Sequence, residues 1–338
     1  AVHRHMLAGR NQYAPMTGVP ELRQAIVDKV AALYGPRFDV ESEVTVTAGA
    51  TQAIFTAIAA FVRPGDEVIV FEPVYDSYVP AIETVGGTAV FAPLKFPDYA
   101  PDWAQVAQLI SPKTRLIIIN SPHNPTGSLL TAVDLEKLAN LVRGTDIVVL
   151  SDEVYEHILF DGEQHASLCA HAELAQRSIV VSSFGKTYHI TGWKIGYVVG
   201  PADLMAEFRK VHQFNVFTVH TPSQLALAEY MQDASRHLGL AAFYQEKRDF
   251  FRELMAATPF KLLPCRGTYF QLASYAGLSE LPDRAFAEWM TREVGVAVIP
   301  VSVFYANGRD DQVVRFCFAK QESTLRAAAE RLHQAFAK

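Results

Sequence analysis

Residues 178–196, SIVVSSFGKTYHITGWKIG, place Lys186 among small and hydroxyl residues directly after a continuous apolar run. A β-branched run without polar alternation reads as a strand buried on both faces, and such strands belong to parallel sheets covered by helices. Lys186 has no acidic neighbour in this stretch. Flanking Gly185 allows close backbone approach. Open parallel sheets bind ligands just beyond the carboxyl ends of their strands, and Lys186 stands at such a position.

The same texture extends through the first two hundred residues. EVTVTAG (43–49), DEVIVFEP (66–73), TAVFAPL (88–94), TRLIIINSP (114–122) and DIVVLSDE (146–153) alternate with helical patterns such as ATQAIFTAIAAFV (50–62), WAQVAQLI (103–110) and TAVDLEKLANLV (131–142). Strands separated by helices predict βαβ units and a mainly parallel sheet covered on both faces. After KIGYVVG (194–200) the pattern changes. Long helices are expected from Pro201 to Phe214 and from Thr221 to about Ala257, followed by strand patterns in TYFQLA and VVRFCFA and a closing helix at 322–336. The expected organisation is a large α/β domain over 1–215 with an N-terminal arm at 1–19, then a connecting helix and small α+β domain over 216–338.

Composition narrows the function. With 338 residues, 50% hydrophobic and 20% charged, the chain has enough material for a large core and a smaller one. A formal charge of −6 gives no general attraction to nucleic acid or anionic membrane. Cys169, Cys265 and Cys317 are far apart and lack metal-ligand spacing, so they are expected to be reduced thiols. His123, His157, His189, His212 and His220 are equally scattered, and no metal site is expected. No apolar stretch approaches membrane-spanning length and no signal-peptide pattern opens the chain, so a cytoplasmic location is expected.

The residues just after the apolar runs form a chemically coherent set. AGATQ supplies a glycine turn opening a helix, an anion-binding feature. EPVYDSY supplies Tyr75, SPHNPTG supplies Asn124, SDEVY supplies Asp152 and Tyr155, and SSFGK supplies Ser183 and Lys186. A carboxylate after a strand is often only a helix cap, and Tyr155 alone could be a core tyrosine. Their common position at one sheet edge argues for a shared ligand.

Taken together, NQYAPMTG (11–18), TAGATQA (47–53), EPVYDSY (72–78), NSPHNPTG (120–127), SDEVYEH (151–157), the lysine stretch and RFCFAK (315–320) resemble class I aminotransferases dependent on pyridoxal 5'-phosphate (PLP). The resemblance covers essentially the whole chain, in the same motif order, and is nearest the methionine and kynurenine–glutamine transaminase branch. It implies the fold type I of PLP-dependent transferases. It also implies that Lys186 holds the cofactor as a Schiff base and moves the substrate proton. Asp152 would pair with the pyridine nitrogen, with Tyr155 and Asn124 at the phenolic oxygen and Tyr75 stacked on the ring. The backbone at Ala50 and Thr51, Ser183 and Lys194 would hold the phosphate. Many relatives have arginine where this chain has Lys194, which is a point charge rather than a bidentate fork. Tyr13 would cross a homodimer interface to the neighbouring phosphate.

Strand alternation puts Val313, Arg315 and Cys317 on one face. A guanidinium in so apolar a strand calls for an anion, and the resemblance makes that anion the substrate carboxylate, with Asn124 beside it. Aspartate-specific relatives take a second arginine from the region matching residues 211–235, which here contains neither arginine nor lysine but has Phe214 and Phe217. Neutral donors are therefore expected: methionine, glutamine and aromatic amino acids. A carbon–sulfur β-lyase on the same fold would use the same Lys186 and Asp152 and would release pyruvate and a thiol. A non-enzymatic PLP-binding regulator would need a helix-turn-helix domain, for which there is no room before residue 13. Family members also carry several dozen residues ahead of the point matching Ala1, including a segment over the substrate.

Overall fold

The computed structural model describes residues 1–337. A seven-stranded sheet runs in the order β1-β7-β6-β5-β4-β2-β3. Its strands are β1 (Val44–Thr47), β2 (Glu67–Glu72), β3 (Thr88–Pro93), β4 (Thr114–Asn120), β5 (Val148–Asp152), β6 (Ser178–Ser183) and β7 (Gly196–Val199). The block β3-β2-β4-β5-β6 is parallel, whereas β7 is antiparallel to both β6 and β1.

Strand alternation divides the core into two layers. In β4, Leu116 and Ile118 pack with Ala53, Ile54, Ala57 and Ile58 of the helix Gly49–Phe61 and with Phe208 of the helix Ala202–Asn215. Their neighbours Ile117 and Ile119 face Leu135 and Leu138 of the helix Ala132–Val142, and Leu22 and Ile26 of the helix Pro20–Tyr34, share that layer. Both layers exclude water, as the continuous apolar runs require, and each fully buried Leu or Ile contributes roughly 1.5–3 kcal/mol.

The remainder folds around a four-stranded antiparallel sheet, β10-β11-β9-β8, comprising β8 (Lys261–Leu262), β9 (Phe270–Ser274), β10 (Ile299–Pro300) and β11 (Val313–Cys317). On β11, Val314 and Phe316 join the small core with Phe251 and Phe286, while Val313 turns toward the large one.

The helix expected from Thr221 to Ala257 is interrupted. Separate helices span Thr221–Tyr230, Ser235–Leu238 and Leu240–Met255. The break falls at Asp233, whose carboxylate accepts the Ser235 N–H (3.1 Å) and hydroxyl (2.5 Å), offering the chain a local turn in place of helix. Leu227 and Ala228 of the first segment share the core of Leu22 and Ile26. Met231 also belongs to that core, and Leu240 is the next residue to join the core of the small sheet.

Candidate active site

Asn120, Asp152 and Ser183 are the last residues of β4, β5 and β6, and Asn120 lies opposite Asp152 in register. Beside them the helix Gly49–Phe61 begins. Ala50, Thr51, Tyr75, Asn124, Asp152, Tyr155, Ser183, Lys186 and Lys194 all line one cavity of about 230 Å³. Most residues that sequence reading assembled one strand end at a time thus share a single chamber. Tyr13 lies elsewhere, 81% exposed, with its ring edge-on to Phe217 at 5.4 Å.

Asp152 occupies the deep side at 3% exposure. Its Oδ1 accepts the Val154 N–H at 3.3 Å, which is cap-like, but its Oδ2 accepts the Tyr78 hydroxyl at 2.6 Å. Burial pushes the carboxyl pKa up to about 6, against the pull of the Tyr78 and Val154 hydrogen bonds. Tyr78 is buried at 3% and its hydroxyl is pushed well above the usual range, first by burial and then by Asp152. A carboxylate so poorly hydrated, with one strong donor, is disposed to take a cationic partner.

Lys186 sits in a single helical turn, Phe184–Thr187, capped by Ser183, whose Oγ accepts the Gly185 N–H at 3.2 Å. Gly185 does permit a close approach, here to the chain's own Thr191: an added Cβ would lie 3.1 Å from the Thr191 Cα. The Lys186 ammonium donates to the Tyr269 hydroxyl at 3.0 Å. Tyr155, 3% exposed, donates to the same hydroxyl at 3.4 Å. Its own hydroxyl is pushed well above the usual phenol range, chiefly by burial.

The opposite end of the cavity is built for an anion. The N–H groups of the first turn of the helix Gly49–Phe61 have no acceptor within the helix, and Gly49, Ala50 and Thr51 line the cavity. No acidic residue occupies that turn. Gly49 has φ +80° and Lys194 φ +52°, and the Lys194 Nζ lies 3.5 Å from where a Cβ on Gly49 would stand. Ammonium and helix terminus therefore converge. Gly196 allows this: a Cβ there would fall 2.7 Å from Ser182 O and 3.2 Å from Ala50 N.

Arg315 is half-buried, and burial lowers its guanidinium pKa. It donates to Asn124 Oδ1 at 2.5 Å and lies over the rings of Phe270 (4.0 Å) and Phe304 (5.2 Å). Its partner is an amide rather than a carboxylate, so its charge is available to an incoming anion.

Sequence reading missed Tyr78, Tyr269, Asn120 and Gly196. Tyr78 follows Tyr75 by three residues in EPVYDSY, the one local signal available. It also missed Lys29 and Glu156, which form a buried pair behind the site. Glu156 accepts from Lys29 Nζ (2.7 Å), the Ser182 hydroxyl (2.5 Å) and the Tyr34 hydroxyl (2.5 Å), tying the helix Pro20–Tyr34 to the residue before Ser183. Burial alone would raise the Glu156 pKa, but Lys29 holds it well below the usual carboxylate range.

The donor set fits PLP: anion donors at one end, a buried carboxyl at the other, a lysine and an aromatic ring between. Such a sheet and site define a PLP-dependent enzyme of the aminotransferase fold. The chain belongs to the family Aminotransferase class I and II, whose model matches residues 2–332, and it is a PLP-dependent aminotransferase.

It is 51% identical to methionine aminotransferase of Escherichia coli, over 98% of this chain and 86% of that protein. It is 35% identical to kynurenine–oxoglutarate transaminase 1 of Rattus norvegicus, over 96% of this chain and 84% of that one. The solved structure of an Escherichia coli methionine aminotransferase superposes with a TM-score of 0.97 at 50% identity, covering 98% of this chain and 88% of that chain. N-succinyldiaminopimelate aminotransferase from Mycobacterium tuberculosis superposes with a TM-score of 0.94 at 36% identity, over 98% and 88% of the two chains. The expected fold class is borne out: a mostly parallel sheet with helices on both faces and a smaller antiparallel sheet.

Proposed function

We propose that this aminotransferase takes the amino group from neutral amino acids, methionine first and glutamine and aromatic amino acids after it, and passes it to a 2-oxo acid. The observation that carries the donor class is the charge of the cavity. Among the described residues lining it, the cationic side chains are Lys186 and Lys194. The first is assigned to the cofactor aldehyde and the second to its phosphate. Arg315 is assigned to the substrate α-carboxylate, which leaves no cation of this chain's cavity for an acidic side chain. An unpaired carboxylate there would lose several kcal/mol of solvation, whereas a thioether or aromatic ring would meet Phe270 and Tyr75.

When bound, PLP supplies an aldehyde that condenses with amines and a protonated pyridine ring that draws electrons from the substrate Cα. Asp152 is assigned to keeping that ring nitrogen protonated, with Tyr78 fixing the carboxylate from behind. Tyr155 and Asn124 are assigned to the phenolic oxygen, and Tyr75 to the ring face. The N–H groups at Ala50 and Thr51, the Ser183 hydroxyl and the Lys194 ammonium orient the phosphate. Lys186, once released, takes the Cα proton on its Nζ and gives it up again, while Arg315 and Asn124 fix the substrate carboxylate so that the Cα–H bond points at that amine.

The enzyme is assigned to the cytoplasm as a homodimer, with Tyr13 serving the neighbouring subunit's phosphate site. The exposure of Tyr13 outside its own cavity supports that assignment. Donor specificity is tested by initial rates across a panel with one 2-oxo acid. Methionine, glutamine and phenylalanine are expected to exceed aspartate and glutamate in kcat/KM by at least about tenfold, and the reverse order refutes the reading.

A further inference from the structure

We propose that Tyr269 is a catalytic residue, its hydroxyl holding the Lys186 amine in the position from which that lysine moves the substrate proton. The inference rests on the proposed role of Lys186 and adds to it the group that orients the amine.

The contact is direct. Lys186 Nζ lies 3.0 Å from the Tyr269 oxygen, and Tyr155 donates to the same oxygen at 3.4 Å. Lys186 reaches this position from the large domain, whereas Tyr269 is carried immediately ahead of β9 in the small sheet, 83 residues further along the chain. A lysine side chain has several rotatable bonds, and an amine on so flexible a stem needs a fixed partner to hold one direction. The rings around Tyr269 immobilise it: Phe270 at 4.6 Å, Tyr155 at 5.3 Å and Tyr244 at 5.8 Å between centroids.

The backbone leading into Tyr269 is constrained in an unusual way. Thr268 is fully buried and has φ +67°, a left-handed conformation uncommon for a β-branched residue. It is held there by its N–H, which donates to Ile158 O at 3.0 Å. Gly267 before it admits no side chain, since a Cβ would stand 2.8 Å from Pro122 Cβ and 2.9 Å from Ile158 O. The strands and loops of the large domain thus dictate the direction in which Tyr269 leaves the chain. Strain of this kind persists where its surroundings over-determine it, and it gathers at sites of function.

During turnover the sequence at the amine is balanced. Neutral Lys186 accepts the Cα proton and becomes an ammonium, the Tyr269 oxygen accepts a hydrogen bond from the new N–H, and the same proton later leaves Nζ. Tyr269 keeps its own proton throughout. It holds direction and stabilises the charged amine without itself being ionised.

Tyr269→Phe removes the hydroxyl and keeps the ring. In the cofactor-free protein, acetylation of Lys186 by an N-hydroxysuccinimide ester, followed by peptide mass analysis, should become about 3- to 10-fold faster, since the hydroxyl either stabilises the ammonium or occupies the amine lone pair. In the holoenzyme, kcat with methionine should fall by about tenfold or more with KM nearly unchanged, and the isotope effect with α-deuterated methionine should rise. An acetylation rate and isotope effect equal to those of the unsubstituted enzyme overturn the inference. If the orphaned Tyr155 hydroxyl prevents folding, the double variant Tyr155→Phe/Tyr269→Phe, which leaves no unpaired hydroxyl, takes its place in the acetylation assay with the same expected increase. Borohydride reduction and peptide mapping of the unsubstituted holoenzyme separate the two levels. A cofactor adduct elsewhere than Lys186 refutes the role of the lysine, whereas an adduct on Lys186 with an unaltered Tyr269→Phe enzyme refutes the tyrosine alone.

Discussion

Asp152→Asn should abolish transamination while removing a pH-dependent cost from the cofactor-free protein. The carboxyl is 3% exposed and its pKa rises from 3.8 to about 6 on folding, chiefly through burial. Because the folded-state value is the higher one, the folded protein binds more protons between these two pH values, and stability falls as pH rises through that window. Each pKa unit corresponds to about 1.36 kcal/mol, so the ionised carboxylate costs the cofactor-free fold about 3 kcal/mol at pH 7.5 and about half that at pH 5.

Asparagine keeps the shape and removes the charge. Its amide oxygen can accept the Val154 N–H while its NH2 faces the Tyr78 oxygen; the Tyr78 hydroxyl then loses its carboxylate acceptor, a cost that is the same at both pH values and leaves the pH dependence intact. Urea unfolding of both cofactor-free proteins at pH 5 and 7.5 measures the effect. The variant should gain over the unsubstituted protein by about 1–2 kcal/mol more at pH 7.5 than at pH 5. Glu156, His157 and His123 also titrate between folded and unfolded states but cancel in the difference. A stability difference independent of pH would refute the argument that Asp152 is a desolvated carboxylate awaiting a cation.

Gly196→Ala puts a methyl 2.7 Å from Ser182 O and 3.2 Å from Ala50 N, all backbone that cannot swing aside. We expect a loss of roughly 1–3 kcal/mol in stability and weaker PLP binding by at least about tenfold; cofactor titration with unchanged affinity would show that the helix terminus does not hold the phosphate. Lys29→Met strands Glu156 in the interior without its cation, and the unfolding free energy at pH 7.5 should drop by about 3–5 kcal/mol. An unaltered urea midpoint would mean that the buried pair contributes nothing net.

The strands of the large sheet, the edge at which they end and most of the side chains gathered there were legible in the chain, whereas the two-residue strands β8 and β10 were not. Continuous apolar runs can be buried only between two layers of helices, and parallel strands must all end at the same edge, so Asn124, Asp152, Ser183 and Lys186 were legible as neighbours although dozens of residues separate them. Alternation likewise marked Arg315 as a guanidinium on an apolar strand, and folding gave it the Asn124 amide as its polar partner. Contacts between elements whose separation leaves no periodic trace came only with folding. Tyr78 meets Asp152 across 74 residues, Tyr269 meets Lys186 across 83, and Lys29 meets Glu156 across 127. The interruption at Asp233 was also hidden, since a local side-chain hydrogen bond overrode a helical pattern that continues on both sides of it. Local sequence encodes which face of an element is apolar and where the element ends. The partner of a single polar group is set by how the layers stack, and that appears only when the chain is folded.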